Sequence, residues 1–236
     1  SAWSPNILIP DYRDHDHTNT PCCGLLTDSM VNQEYETKIL NVDRPTLKIT
    51  LHKLGFICSR PRHFVRRWVF SLPNKKDGAW VRIIAESDTK DQLALAYKYY
   101  ESYRIGGIHE YEFVIGAKIR DVQTFFELLG CSLIAEQHTY EEQYRHPKRK
   151  NIKIEIDEWP LIPLYVEIEG KNKNEVMRTL IHLGFNKTQS QPITTKMVYK
   201  KYGLDLHAYK KLSFKHTPTN NDPGVLKKHN AIGMPD

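Results

Sequence analysis

Two short segments far apart in the chain carry carboxylates at alternate positions. The first holds Glu34 and Glu36, followed two positions later by Lys38, and the second holds Glu167 and Glu169. Alternate side chains of an extended strand point to the same face, so each segment predicts a strand with one charged face. In the second segment the intervening residues are apolar. A chain with such strands must turn these charges to solvent or enclose them in a polar interior.

Either arrangement is physically reasonable for one segment taken alone, because the charged face of a strand normally lies in solvent. Two carboxylate pairs accompanied by Lys and Arg on other candidate strands favour the enclosed interior. Carboxylates bind hard cations such as Mg²⁺, and fixed cationic side chains bind phosphate oxygens. The combination therefore indicates a site for a metal-bound polyphosphate.

The rest of the pattern predicts many short strands and three helices. The helices are predicted at 45–54, with Asp43 as N-cap, at 119–129 and at 173–183, each closed by a Leu-Gly pair. The strands are predicted at 33–40, 65–72, 80–85, 93–100, 109–115, 133–137, 140–146, 152–157 and 164–169. Many strands joined by short turns favour an antiparallel barrel or a strongly curved sheet with helices outside. A closed barrel of about eight strands can hold one small ligand.

Composition adds looser bounds on the 236-residue chain. Its net charge of +6 fits an anionic ligand, and equally a mildly basic surface. No nucleic-acid-binding motif accompanies that charge, so a nucleic-acid partner is not expected. No apolar run approaches the roughly 18 residues of a membrane helix, so no membrane partner is expected. The four cysteines match neither a disulfide framework nor a C-x-x-C motif, which favours a cytoplasmic location.

Domain organisation is predicted from the same composition. Residues 1–30 are expected to form an N-terminal extension, residues 31–214 the folded domain, and residues 215–236 a C-terminal tail. Within the extension, His15, Asp16 and His17 together with Cys22 and Cys23 could ligate a metal. A solvated segment is the favoured interpretation of that short cluster.

Charged residues recur on the candidate strands at positions compatible with one interior. The cations are Arg66, Arg67, Arg82, Lys98 and Arg145, and the acidic partners are Glu110, Glu112 and Asp157. Each of them taken singly is more simply explained as solvent-exposed. Their joint placement on strands carries the inference, because so many buried charges require counter-charges or ligands.

Six ordered segments together carry a more specific signal. They are Glu34-x-Glu36-x-Lys38, Trp80-Val81-Arg82, Tyr97-Lys98, Glu110-x-Glu112, Ile156-Asp157-Glu158-Trp159-Pro160 and Val166-Glu167-Ile168-Glu169-Gly170. In this order they resemble the CYTH superfamily of class IV adenylyl cyclases and thiamine triphosphatases, also called triphosphate tunnel metalloenzymes. The resemblance covers residues 33–214. It implies an α+β fold in which an eight-stranded antiparallel β-barrel forms a triphosphate tunnel with helices packed outside.

The resemblance also implies a ligand and a set of site residues. Such a tunnel would bind a triphosphate together with Mg²⁺ or Mn²⁺. The carboxylates assigned by position to the metal are Glu34, Glu36, Glu112, Asp157, Glu167 and Glu169. The side chains assigned to the phosphates are Lys38, Arg67, Arg82, Lys98, Arg145 and Lys153. The residues assigned to catalysis are Glu34, Glu36, Lys38 and Arg145.

Two positions depart from the pattern of the superfamily. Ile84 stands where relatives often carry a second Arg on the same strand face, and Tyr144 stands where a basic residue is frequent. Each replacement is expected to remove a phosphate contact, and a charged hydrogen bond contributes about 1.5–3 kcal/mol. Arg66, Arg104 and Lys153 are candidates to compensate.

The same tunnel serves several activities, so three functions stay open. The first is an adenylyl cyclase that converts ATP to cyclic AMP and pyrophosphate. The second is a triphosphatase that hydrolyses tripolyphosphate or an organic triphosphate such as thiamine triphosphate, and the third is a non-catalytic nucleotide or polyphosphate sensor. Trp68, Trp80, Tyr97 and Tyr99 could stack on a base, although barrel packing explains each one singly. A homodimer is an open alternative.

Overall fold

The computed structural model describes residues 32–73, 78–89 and 92–215. The strands are β1 Asn32–Leu40, β2 Ile57–Ser71, β3 Ala79–Glu86, β4 Leu93–Tyr100, β5 Ile108–Ile115, β6 Ser132–His146, β7 Arg149–Glu158, β8 Tyr165–Gly170 and β9 Lys211–Leu212. The α-helices are α1 Arg44–Lys53, α2 Ile119–Leu128, α3 Lys173–His182 and α4 Thr195–Lys201, with 3₁₀ turns at Lys187–Gln189 and Leu206–Ala208. None of these helices is long and apolar enough to cross a membrane. The predicted extension with its His15–His17 cluster, and residues 216–236 of the predicted tail, lie outside the described residues.

Eight of the described strands form a closed antiparallel barrel. Their order is β2-β3-β4-β5-β1-β8-β7-β6, and β6 pairs back with β2 to close the ring. β9 adds a short parallel pairing to β6. The structure therefore confirms the predicted fold class, an α+β protein built on an eight-stranded antiparallel barrel with helices outside it.

The seam between β1 and β5 is the shortest pairing in the barrel. β1 pairs with β5 only through Asn32–Glu34, whereas it pairs with β8 through Tyr35–Leu40. Beyond that point the segment around Gln191 takes the free edge of β1, because Lys38 and Gln191 exchange two backbone hydrogen bonds of 3.0 Å. β5 and the segment around Gln191 therefore cover successive parts of the same edge of β1.

The helices begin and end where the sequence predicts. The Asp43 carboxylate accepts a hydrogen bond from the backbone N–H of Thr46 at 3.0 Å, which caps α1. At its other end Gly55 has φ of +81°, and the N–H of Phe56 bonds the carbonyl of Leu51 at 2.9 Å. A positive φ of this size favours glycine, so the Leu-Gly pairs are helix stop signals.

The strands carry their apolar residues on the outer face, under the helices. One buried cluster joins α1 and α3 to β1, β6, β7 and β8, and a second joins α2 to β2, β3 and β4. A third is formed by the segment that contains α4 and β9. Because the core lies outside the barrel, its inner face is free to be polar.

Two predicted strand boundaries are wrong. The strands predicted at 133–137 and 140–146 are one continuous strand, β6, because His138 and Thr139 pair with Arg66 and Val65 of β2. β2 also begins at Ile57 rather than at Val65, and its early part contains register shifts. Such irregularities accommodate a proline, which cannot donate a ladder hydrogen bond.

Candidate active site

The barrel encloses a cavity of about 450 Å³ with charged walls. Its carboxylates are Glu34, Glu36, Glu86, Glu110, Glu112, Glu141, Glu155, Asp157 and Glu167. Its cationic side chains are Lys38, Arg60, Arg67, Arg82, Lys98, Arg145 and Lys153. Nine carboxylates against seven cations give the walls a formal negative excess, although the whole chain carries +6. Buried charges of this number require mutual pairing and a ligand.

Lys38 links β1 to β8 inside this cavity. Its Nζ lies 2.8 Å from Glu36 and 2.9 Å from Glu167, and only 4% of its side chain is exposed. Burial alone would lower the pKa of Lys38, but the two carboxylates raise it above its usual value. Burial also opposes ionisation of Glu36, yet Lys38 and Lys98 lower the pKa of Glu36 to about 2. The β1 motif is therefore an ionised pair that faces inward.

A second charged group joins β1, β3, β4 and β5. The Nζ of Lys98 lies 2.9 Å from both Glu34 and Glu110, and Arg82 donates to Glu110 at 3.3 Å. Burial raises the pKa of Glu34 to about 8, although Lys98 opposes the shift. Burial likewise opposes ionisation of Glu110, but Lys98 holds its pKa below the usual range. Near neutral pH, therefore, the protonated form is favoured for Glu34 and the ionised form for Glu110.

A third group of carboxylates comes from β6 and β7. Carboxylate oxygens of Glu141, Glu155 and Asp157 all lie within 4.8 Å of one another. Arg67 contacts Glu141 and donates to the Thr139 hydroxyl at 2.5 Å. Burial raises the pKa of Asp157 well above its usual value, and neighbouring carboxylates add to the shift. One oxygen of Asp157 has no hydrogen-bond partner among the described residues, so the donor set fits a divalent cation.

A second cavity of about 470 Å³ adjoins the first. Both are lined by Glu34, Glu110, Glu112 and Arg145. The second is also lined by Asn32, Gln33, Tyr35, Lys150, Asn151, Glu169, Gly170 and Lys171. Its side-chain amides and its tyrosine offer hydrogen-bond donors and acceptors next to the charged groups of the barrel.

The predicted site residues come together in these two cavities. All six predicted phosphate-binding side chains line the first cavity, together with five of the six predicted metal carboxylates. The sixth, Glu169, lines the second cavity, where its carboxylate lies 2.5 Å from the Nζ of Lys153. The structure brings the predicted site residues together, and their roles in metal binding, phosphate binding and catalysis stay predictions.

Several wall residues were not predicted. They are Arg60, Glu86, Glu141, Gln143 and Glu155. For three of them the signal was present in the sequence, because Glu141 and Gln143 alternate with Arg145 on β6, and Glu155 alternates with Asp157 on β7. Arg60 lies in the irregular part of β2, before the predicted start of that strand, where alternation gives no guide.

The two departures from the superfamily pattern have different structural meanings. Ile84 lines the cavity, and the loss of a phosphate contact at this position stays a prediction. Tyr144 is fully buried in the outer core and donates to Glu142 at 2.8 Å, so the prediction that it removes a phosphate contact is wrong. Arg66 bonds Glu136 at 2.9 Å, and neither Arg66 nor Arg104 is among the described residues that line the cavities.

Aromatic side chains do reach the cavity, although most of the predicted ones do not. Trp80 is part of the wall, and so are Trp159 and Tyr165, which the sequence did not indicate as stacking residues. Trp68 belongs instead to the outer core under α2. Of the four predicted stacking residues, Trp80 alone is positioned for contact with a ligand in the described part of the chain.

A closed eight-stranded antiparallel barrel with helices outside is the architecture that the sequence resemblance implied. Comparison with solved structures supports this fold. A protein from Vibrio parahaemolyticus aligns with a TM-score of 0.60 at 11% identity, over 71% of this chain and 97% of its own. That protein is provisionally assigned as an adenylate cyclase. A conserved hypothetical protein from Pyrococcus furiosus aligns at 0.58 and 19% identity over 69% and 97%. The PH1012 protein of Pyrococcus horikoshii aligns at 0.57 and 18% identity over 68% and 96%.

The predicted resemblance to the CYTH superfamily is thus confirmed at the level of the fold. No protein-family description matches the sequence, and no curated protein matches it either. At these identities the solved structures share an architecture with this chain, and its activity must be argued from the residues that line the tunnel.

Proposed function

We propose that this protein is a metal-dependent enzyme that processes a nucleoside triphosphate inside the tunnel. The observation that carries the proposal is the alternation of nine carboxylates and seven cationic side chains around one enclosed cavity. Cationic side chains bind phosphate oxygens, and the grouped carboxylates can bind a divalent cation in exchange for the protons that burial favours on Glu34 and Asp157. A triphosphate chelated by Mg²⁺ or Mn²⁺ supplies both kinds of charge at once.

The metal would be held by carboxylates from facing strands, and the phosphates by the cations between them. The proposed metal ligands are Glu34, Glu36, Glu112, Asp157, Glu167 and Glu169. The proposed phosphate-binding residues are Lys38, Arg67, Arg82, Lys98, Arg145 and Lys153. Lys38 and Lys98 are already ion-paired, so ligand entry exchanges existing pairs for new ones and leaves no buried charge unpartnered.

The chemistry available in such a site is electrostatic. A bound divalent cation would neutralise charge on the phosphate oxygens and favour an in-line displacement. The cationic side chains stabilise the negative charge that develops during phosphorus–oxygen cleavage, and the enclosed walls exclude bulk water from that charge. Glu34 carries a proton near neutral pH because burial raises its pKa, and it releases that proton when a cation enters.

Within this class we propose the adenylyl cyclase reaction first. The second cavity supports it, because a nucleoside attached to a triphosphate in the tunnel needs adjoining space with polar groups. That cavity shares Glu34 and Arg145 with the tunnel and adds the amides of Gln33 and Asn151. The other candidate is a triphosphatase. With tripolyphosphate as substrate it needs only the first cavity, whereas an organic triphosphate such as thiamine triphosphate would also use the second.

Product analysis distinguishes the activities. The protein is incubated with ATP and separately with tripolyphosphate, each with Mg²⁺ or Mn²⁺, and the products are separated by chromatography. Cyclic AMP with pyrophosphate supports the cyclase, whereas orthophosphate from tripolyphosphate without a cyclic product supports the triphosphatase. Tight ATP binding without turnover of either compound would make the protein a sensor, and no binding of either would contradict the proposed site.

Two matched variants test whether the tunnel performs the reaction. Glu36→Gln removes a carboxylate inside the tunnel, and Glu142→Gln removes one that is equally buried but lies on the outer face with Lys48. We expect the first change to abolish metal-dependent turnover while circular dichroism shows an intact fold. Turnover should persist in the second, and equal losses in both would indicate a general effect of removing buried charge.

A further inference from the structure

One group of potential metal ligands includes none of the metal-binding residues proposed above, although its Glu86 also lines the tunnel cavity. His63 on β2, Glu86 at the end of β3 and Asp88 in the turn before β4 place one ligand atom each within 4.8 Å of one another. The Nε2 of His63 is 3.9 Å from Glu86 and 4.0 Å from Asp88. His63 is inside the protein, with only 4% of its side chain exposed.

The hydrogen bond at the other ring nitrogen fixes the tautomer of His63. Nδ1 lies 3.0 Å from the backbone carbonyl oxygen of Pro61. A carbonyl oxygen only accepts hydrogen bonds, so Nδ1 must carry the proton in the neutral ring. In the neutral ring Nε2 presents a lone pair, and it has no hydrogen-bond partner among the described residues.

This arrangement matches the environment of metal-bound histidines. A ligating imidazole usually donates its second N–H to a carbonyl or carboxylate, which orients the ring and raises its basicity. In His63 that donor bond is already made, and the free lone pair is directed toward two carboxylates. A lone pair that faces anionic oxygens is unfavourable unless a cation lies between them.

We propose that His63, Glu86 and Asp88 form a binding site for a divalent transition metal of the Zn²⁺ or Co²⁺ type. Metal–nitrogen and metal–oxygen bonds of about 2.0–2.2 Å allow ligand atoms up to about 4.3 Å apart across the ion, and both measured separations from Nε2 fall within that span. One imidazole and two carboxylates leave open positions for water. The site borders the tunnel through Glu86, but none of its three ligands is a proposed metal ligand or phosphate-binding residue of the tunnel.

Arg60 is the resident cation of this site in the absence of metal. It donates to Glu86 at 2.7 and 3.1 Å and to Asp88 at 2.6 and 3.0 Å. One guanidinium against two carboxylates leaves one formal negative charge, and this charge attracts a further cation. A metal ion must displace Arg60 from at least one of these oxygens, so Arg60 competes with the metal. Arg60 also lines the tunnel cavity, which is where a displaced guanidinium would turn.

The competition gives two variants with opposite expected effects. His63→Gln removes a ligand and should weaken Zn²⁺ binding at least about tenfold. Loss of a residue that only hydrogen-bonds a metal ligand already weakens binding by about tenfold or more, so loss of a ligand should cost at least as much. Removal of the competitor by Arg60→Gln should strengthen Zn²⁺ binding, because both carboxylates lose their guanidinium. A protein in which His63 merely takes up a proton would show no Zn²⁺ binding at this position at all.

The test is calorimetric titration of the full chain with Zn²⁺, and visible absorption with Co²⁺. The background protein lacks the other candidate ligands through His15→Ala, His17→Ala, Cys22→Ser and Cys23→Ser. In this background Glu36→Gln removes a proposed tunnel ligand, and we expect it to leave the binding event assigned to His63 unchanged.

Weakening in His63→Gln together with strengthening in Arg60→Gln supports the site. Equal Zn²⁺ affinity in His63→Gln and in the background overturns it, and so does weaker binding in Arg60→Gln. If His63→Gln does not fold by circular dichroism, the Arg60→Gln titration decides alone, because that variant keeps all three ligands. There, an affinity that is unchanged or lower than in the background refutes the proposal.

Discussion

Replacement of Lys38 by Met tests whether the charges inside the tunnel are desolvated. Lys38 is 3% exposed, and its Nζ is shared between Glu36 and Glu167 at 2.8 and 2.9 Å. Met fills a similar volume without the charge, so the change leaves two buried carboxylates without their nearest cation. The loss is therefore electrostatic and involves little change in packing.

The magnitude follows from the burial of this pair. Removing one partner of a buried ion pair costs about 3–5 kcal/mol, because the other charge stays buried without compensation. For a domain of this size, each kcal/mol lost from the free energy of unfolding lowers the thermal unfolding midpoint by about 2–4 °C. We therefore expect that midpoint to fall by roughly 6–20 °C. Mn²⁺ should restore part of the loss, because binding at about 100 times Kd adds about 2.7 kcal/mol to stability.

The assay is thermal unfolding for the midpoint temperature and urea unfolding for the free energy, each followed by circular dichroism in EDTA and again in Mn²⁺. The matched control is Lys48→Met, since Lys48 also pairs with a glutamate, Glu142 at 2.7 Å, but has a side chain that is 40% exposed. Lys48 is itself partly exposed and Arg44 stays 3.6 Å from Glu142 when Lys48 is removed, so that carboxylate keeps a cation and the control should change little. If Lys38→Met loses no more stability than Lys48→Met, the tunnel is hydrated and the desolvation argument is refuted.

Three further predictions concern other positions. Burial raises the pKa of Asp157 and so favours its neutral form, so Asp157→Asn should change the stability of the metal-free protein by less than about 1 kcal/mol. The same change should weaken Mn²⁺ binding at least about tenfold, and unaltered affinity would remove Asp157 from the metal site. Glu34 binds its proton more tightly in the folded state, so its contribution to the free energy of unfolding is complete below pH 4.5 and is lost as the pH rises to about 8. The expected loss is up to about 1.4 kcal/mol per pH unit. In urea unfolding measured at several pH values, Glu34→Gln should abolish this slope. Gly107→Ala should lower the free energy of unfolding by about 1–3 kcal/mol or more, because the new Cβ would lie 2.0 Å from the carbonyl oxygen of Ser102. In the control Gly116→Ala the new Cβ meets no atom within 4 Å, so the unfolding midpoint should change little in the same assay.

The alternating pattern of β1 and β8 predicted the inner face of the barrel because strand geometry leaves little freedom. Once Glu36 faces inward, Glu34 and Lys38 must do so too, and Glu167 follows because it pairs across from Lys38. The same rule would have identified Glu155 and Glu141. They were missed because they lie in charged segments of β6 and β7 where solvent exposure is the simpler explanation.

Features set by pairing between distant strands could not be predicted from the sequence. His138 and Thr139 look like a polar break, and they belong to a strand only because β2 lies beside them. The register that makes them part of β6 is set by long-range contacts, which local propensity does not encode. Tyr144 is a different case, because alternation with the inward Arg145 already turns it into the outer core.

Synthesis on the ribosome must delay the closing of the barrel. Thr37 and Ser190 are bonded through their hydroxyls at 2.7 Å but lie 153 positions apart, so at about 5–20 residues per second roughly 8–30 s separate their synthesis. Until residue 170 has been made, β1 lacks its partner β8, and until residue 191 it also lacks the Gln191 segment. A ribosome that stalls before β8 is complete would hold an open sheet, and the unpaired edge of an open sheet is a template for pairing with other chains. Translation speed late in the message therefore affects how many chains acquire a tunnel.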